Sequence, residues 1–153
     1  MGETRYIVFG LENERYSMDL RFVKAIEDNY VIIPVPNGPE DIKGIISLRG
    51  DVIPVYSLRS RFGKDEFRGE GKLLITYVCN TVIGFEVDVV EGIETIEDED
   101  VLPVPQVVKS DETAYIDCIV NTSKGIVINI SVEHILTDGE LANIEDMIAQ
   151  NQI

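Results

Sequence analysis

The stretch GIISLRGDVIPVYSLRSRFG, residues 44–63, decides how this chain is read. Two runs rich in Ile, Val and Tyr, GIISLR (44–49) and DVIPVYS (51–57), meet at Arg49-Gly50-Asp51. Gly50 takes the positive φ of a tight turn without a Cβ penalty, so the two runs predict a β-hairpin. LRSRFG (58–63) predicts one helical turn closed by Gly63. Three arginines (Arg49, Arg59 and Arg61) stand on or just after this hairpin, with no catalytic motif near them. They belong to a chain of 153 residues whose formal net charge is −15.

That charge is unevenly spread. Residues 43–72 hold seven of the 13 basic residues and only four acids, a local +3, so the remainder carries −18. Residues 86–100 hold eight acids and no base. Binding to nucleic acid relies on neutralising phosphates, and attraction to anionic membranes relies on basic segments, so both partners are disfavoured. A surface of two signs suits association with proteins. No stretch approaches the ~20 apolar residues that span a bilayer. The opening MGETRYIVFG lacks the apolar run and cleavage site of a secretory leader, and the protein is expected to be cytoplasmic.

Outward from the hairpin the chain keeps the same rhythm. Short Val-, Ile- and Tyr-rich runs are broken roughly every 8 to 12 residues by turn formers, which predicts a mainly β barrel or sandwich. RYIVFGL (5–11) and RYSMD (15–19) flank a turn at Glu12-Asn13-Glu14. LRFVKAIE (20–27) predicts a short helical turn, and VIIPVP (31–36) an edge or irregular strand because of its prolines. PEDIKG (39–44) predicts a brief helix with Pro39 in its first turn. KLLITYVC (72–79), VIGFEVDVV (82–90) and EGIETI (91–96) predict strands, with a turn at Asn80-Thr81. EDEDVLPVPQVV (97–108) reads as an acidic loop, and AYIDCIV (114–120) and GIVINI (125–130) as further strands. Thr137 and Glu140 match a capping box, and Leu141, Ile144, Met147 and Ile148 share one face, which predicts a C-terminal helix over 137–150. The length suits one domain over 1–153, built as two β-subdomains with a loop near 63–72.

Catalytic apparatus is not visible. His134 is the single histidine, so no multi-histidine metal site can form, and no H-E-x-x-H or Cys/His cluster exists. There is no G-x-S-x-G elbow and no phosphate-binding loop. Glu97-Asp98-Glu99-Asp100 lacks the spacing and internal glycine of a calcium loop. A cation-dependent enzyme using the acids at 86–100 is the alternative of a different class. Cys79 and Cys118 each lie in an apolar run and are expected to be buried thiols.

IKGIISLRGDVIPVYSLRSRFG (42–63) resembles the CheW family of bacterial chemotaxis coupling proteins, at Ile42, Gly44, Leu48, Arg49, Gly50, Pro54, Val55 and Leu58. The likeness extends through YIVFGLENERYSMDLRFVKAI (6–26), IGFEVDVVEGI (83–93) and GIVINISVEHIL (125–136). It implies two five-stranded, SH3-like β-barrels packed around a hydrophobic seam, with no catalysis and no cofactor. It implies an adaptor joining the histidine kinase CheA, through its regulatory domain, to the cytoplasmic tip of transmembrane chemoreceptors. The protein would be monomeric alone and recruited to receptor arrays. Carried over residue by residue, receptor contact falls on Arg49, shaped by Gly44 and Gly50, and on Leu73 and Leu74. Kinase contact falls on Val23, Ala25 and Ile26, with Val23 and Ile26 as apolar anchors. Arg59 and Arg61 are expected to be solvated charges that steer association. The chain departs from the family pattern at Ala25 for glutamate, Ser47 for asparagine, Ser57 for aspartate, and Val89 and Cys118 for glycine. These departures leave a second reading of the same fold: a diverged scaffold serving another kinase pathway.

Overall fold

The computed structural model describes residues 2–36, 38–66 and 69–136. The helix expected over 137–150 lies outside them. The chain divides into two compact units, one built on residues 1–22 and 89–136 and the other on 23–88. The loop near 63–72 lies inside the second unit.

In the first unit, β1 (Glu3–Leu11) and β2 (Glu14–Asp19) form a hairpin, and the unit resumes after residue 88. The second unit begins at β3 (Val23–Glu27), which follows a single 3-10 turn at Leu20–Phe22. It continues with β4 (Ile42–Leu48), β5 (Asp51–Ser57), the one-turn helix α1 (Leu58–Arg61), β6 (Lys72–Val78) and β7 (Thr81–Val87). The first unit is completed by β8 (Val89–Glu97), the two-residue β9 (Val101–Leu102), β10 (Ile116–Thr122) and β11 (Gly125–Ile130).

Strand order shows that the units share a plan. The first is β8-β1-β2-β11-β10-β9 and the second β3-β6-β7-β5-β4. In each, two antiparallel hairpins meet along one parallel pair, β2 with β11 and β5 with β7. In each, one further strand lies antiparallel on the outer side, β8 on β1 and β3 on β6. The bulges fall at corresponding places too: Val8/Phe9 and Val23/Ala25 in the flanking pairs, Ile116/Cys118 and Ile42/Gly44 in the hairpins. The expected mainly β chain of two barrel-like subdomains is thus found, with the short β9 making six strands of the expected five in the first.

Each unit has its own core. Tyr6, Ile96, Cys118, Val120 and Val127 cluster in the first, and Ile46, Ile53, Val55, Leu73 and Ile75 in the second. Burying each such aliphatic side chain stabilises by about 1.5–3 kcal/mol.

The deciding hairpin closes as its turn chemistry dictates. Arg49 (φ 51) and Gly50 (φ 86) are both left-handed, the pattern of a two-residue turn matched to strand twist. Gly44 answers a different need. Its φ is +155, and a Cβ there would sit 2.2 Å from the carbonyl oxygen of Ile33. The close approach lets Ile33 and Ile45 exchange backbone hydrogen bonds of 2.8 and 2.9 Å.

Three local expectations are corrected. The short helical turn expected within 20–27 is found but confined to Leu20–Phe22, and Val23–Glu27 is a strand because pairing with β6 takes over there. Residues 39–41 form a turn, closed by Ile42 N–H bonded to Pro39 C=O, and lead directly into β4 rather than a helix. The β6–β7 turn is Cys79-Asn80, both left-handed (φ 50 and 62), so Cys79 is exposed in a turn while Cys118 is buried.

The helical turn expected at 58–63 forms as α1. Ser57 caps it, its Oγ accepting from Ser60 N–H at 3.1 Å, so the serine performs the capping role open to an aspartate there. Arg59 is not a solvated charge. Its Nε and a terminal nitrogen donate to the two oxygens of Asp88 at 2.7 and 2.6 Å, and its other terminal nitrogen donates to Asp65 C=O at 2.7 Å. The side chains of this pair are 12% and 10% exposed.

Two variants test this account. Asp88→Asn leaves a nearly buried guanidinium without its counter-charge and should lower unfolding free energy by about 3 kcal/mol in urea titrations. Gly44→Ala should cost about 2–4 kcal/mol in the same measurement, since strain at positive φ adds to loss of the Ile33 approach.

Candidate protein-binding surface

The predicted receptor-side residues part company in the structure. Arg49 stands at the tip of the β4–β5 hairpin with its side chain 77% exposed, and one terminal nitrogen lies 3.8 Å from Glu27 Oε1. A pair that open to water is worth at most about 1 kcal/mol, so the fork of donors stays available to a partner. Gly50 has no atom within 4 Å of an added Cβ, and its requirement is conformational alone. Gly44 lies toward the other end of β4, where it shapes the approach of Ile33 rather than the surroundings of Arg49. Leu73 and Leu74 are fully buried. Their position in the central run of β6 leaves neither side chain any surface with which to touch a partner.

The predicted kinase-side residues come together on one element. Val23, Ala25 and Ile26 all lie on β3, an end strand of the second sheet. Lys24 is the extra residue at the bulge, so Ala25 turns onto the core cluster while Ile26 remains 41% exposed. An end strand offers backbone donors and acceptors as well as side chains, which makes it a natural site of association.

Three residues that sequence reasoning passed over join this surface. Lys24 Nζ lies 5.5 Å from the ring centroid of Tyr77, a half-exposed aromatic on β6. Glu27, at the end of β3, meets the hairpin tip through Arg49. The alternation Val-Lys-Ala-Ile-Glu was the available signal, since it places these side chains on alternate faces of a strand.

The acids at 86–100 do not converge. Glu86 accepts from Lys43 Nζ at 2.6 Å and from the Tyr30 hydroxyl at 2.7 Å. Asp88 holds Arg59, and Glu91 accepts from Arg15 at 2.8 Å. Glu94 accepts from Ser123 N–H at 3.0 Å, and Asp100 lies 3.4 Å from the Asn121 amide nitrogen. Among the described residues no group of three or more His, Cys, Asp or Glu is placed to hold a metal ion. His134 Nδ1 lies 2.8 Å from Ser131 Oγ, three residues away within one turn. No helix among the described residues is long and apolar enough to cross a membrane.

Comparison with known proteins covers most of the chain. A family model described as a CheW-like domain matches residues 5–140. A chemotaxis protein CheW from Klebsiella aerogenes is 25% identical over 151 residues, covering 95% of this chain and 91% of that protein. One from Bacillus subtilis is 30% identical over 118 residues, 76% of each. Among solved structures, the scaffolding protein TtCheW from Thermoanaerobacter tengcongensis superposes with a TM-score of 0.81 at 30% identity, covering 91% of this chain and 96% of that one.

The two thiols should separate in experiment. Burial, then the charge of Asp117, pushes the Cys118 thiol up from 9.0 to about 11. Burial likewise raises its core neighbour Tyr6 from 10.0 to about 12, with Cys118 the next cause. Each group ionises more easily in the unfolded chain, so the Cys118 contribution is intact below pH 9 and lost as pH climbs to about 11, and the Tyr6 contribution is lost between pH 10 and about 12. Urea midpoints measured across that window should fall, and Cys118→Ser should flatten the fall. At neutral pH a maleimide should modify Cys79 in the native protein and reach Cys118 only on unfolding.

Proposed function

The chain belongs to the CheW family, and from that premise we propose that it is a non-catalytic adaptor coupling chemoreceptors to the histidine kinase CheA. It works in the cytoplasm, as a monomer until it is recruited to receptor arrays, and needs neither metal nor organic cofactor. The observation that carries this reading is the pairing, within one unit, of an exposed arginine hairpin with an open end strand. Arg49, held left-handed by the turn, presents its guanidinium to the helical tip of a receptor. Gly50 makes that turn possible, and Gly44 fixes the strand behind it. Leu73 and Leu74 act from within, by anchoring β6. Across the end strand, Ile26 and Val23 supply apolar contact to the regulatory domain of the kinase, and Ala25 keeps the strand flat against its own core.

An apolar anchor contributes about 1.5–3 kcal/mol when a partner covers it, and a charge in its place reverses the sign. Division of labour between the two elements makes the reading testable. Calorimetry with the CheA regulatory domain should show saturable binding that falls at least about tenfold in Ile26→Glu, a loss of about 1.4 kcal/mol. Arg49→Glu should leave that titration nearly unchanged and weaken capture by receptor cytoplasmic fragments by a similar factor. A natively folded Arg49→Glu protein that binds receptor fragments normally would remove the arginine from the contact.

A further inference from the structure

A concavity of about 740 Å³ opens at one end of the second unit, between the segment after β3 and the segment before β6. Its floor is Ile46, a member of the unit's core. Its wall carries Val31 and Ile33, which are 82% and 53% exposed although both are large aliphatics. Glu27, Asp28, Glu70 and Glu86 stand on its lining, and among the described residues no lysine or arginine does. Glu86 is held by Lys43 and Tyr30, whereas Glu27 is paired only at long range with the exposed Arg49, at 3.8 Å, and the exposed Asp28 with Lys72 at 3.3 Å.

Exposed aliphatics beside a concave apolar floor mark a place where another surface settles, and the size lies within the range of ligand clefts, ~300–1,000 Å³. The lining decides what kind. A second copy of the chain would bring a further −15 against these acids, and a phosphate-bearing ligand would meet the same repulsion. We propose that this cleft docks a segment of a protein partner that carries lysine or arginine next to aliphatic residues. The aliphatic side chain packs on Val31 and Ile33, and the cation replaces Arg49 or Lys72 at the rim. The cleft shares Glu27 and its partner Arg49 with the surface described above, but the inference rests on the exposed aliphatics and the acids of the cleft rather than on the roles proposed for Arg49 and β3.

The test uses the full chain, isotopically labelled, and a short acetylated peptide that alternates isoleucine with lysine. Titration followed by amide chemical shifts should move Tyr30, Val31, Ile33 and Ile46, with an affinity that declines as salt is raised. Ile33→Asp should weaken the peptide by about tenfold or more with the far-UV signal unchanged. Glu70→Lys, on an exposed loop, provides the same reading if Ile33→Asp does not fold. Shifts gathered instead on the acidic run Glu94–Asp100 would show attraction to charge alone and overturn the proposal. So would an absence of shifts, or equal affinity in the variants.

Discussion

One guanidinium grips one carboxylate at two points, and the second unit is organised around that grip. A hairpin fixes its own register through its turn, but a parallel pair has no turn to do so. In the second unit the parallel pair is β5 with β7, aligned as Val55 to Gly84 and Ser57 to Glu86. Immediately beyond it, Arg59 on α1 and Asp88 at the end of the unit lock with two bonds of 2.6 and 2.7 Å. Sliding either strand by one residue separates them and turns every side chain to the wrong face. The third bond of Arg59, to Asp65 C=O, ties down the chain leaving the helix. Removing two charges from water is expensive, and it is the completeness of the bonding that offsets the cost.

The first unit solves the same problem with neutral groups. Its parallel pair aligns Ser17 with Asn129, both buried, and the serine hydroxyl donates to the amide oxygen at 2.8 Å. A buried polar pair that is satisfied in only one register is a strong selector of that register. Two units of one plan therefore carry different locks at the junction of their hairpins. Their likeness lies in strand order and bulge position, which is why no repeat is visible in the letters of the sequence.

What the sequence revealed and what it hid follow from the range of the interactions. The 44–57 hairpin was legible because Gly50 and two β-branched runs settle it locally, and Gly63 marked the end of the helical turn, whereas the capping role of Ser57 went unread. β3 was hidden because its evidence lies in β6, some fifty residues on, whereas its own spacing hinted at a helix. Cys79 was misplaced by one step of register, since a turn at Cys79-Asn80 exposes what a turn at Asn80-Thr81 would bury. Arg59 and Arg61 looked alike in a basic run, and only the return of β7 identifies which of them meets Asp88. In the candidate surface, Arg49 was legible through its turn, while the burial of Leu73 and Leu74 depends on strands that the sequence does not show to be central.

The nesting of the two units has a consequence for synthesis. The described part of the second unit is one continuous run, 23–88, whereas the first begins before it and ends after it. Once residue 88 has cleared the ribosome, every strand of the second sheet is available to pair. The first sheet must wait, because β2 needs β11, whose pairing residue Asn129 lies 112 positions beyond Ser17. During that wait β1 and β2 hold an apolar hairpin with nothing to cover it, and translation proceeds at ~5–20 residues per second. A nascent chain halted between these points would thus carry a complete second sheet and an incomplete first one, the species on which a chaperone would act.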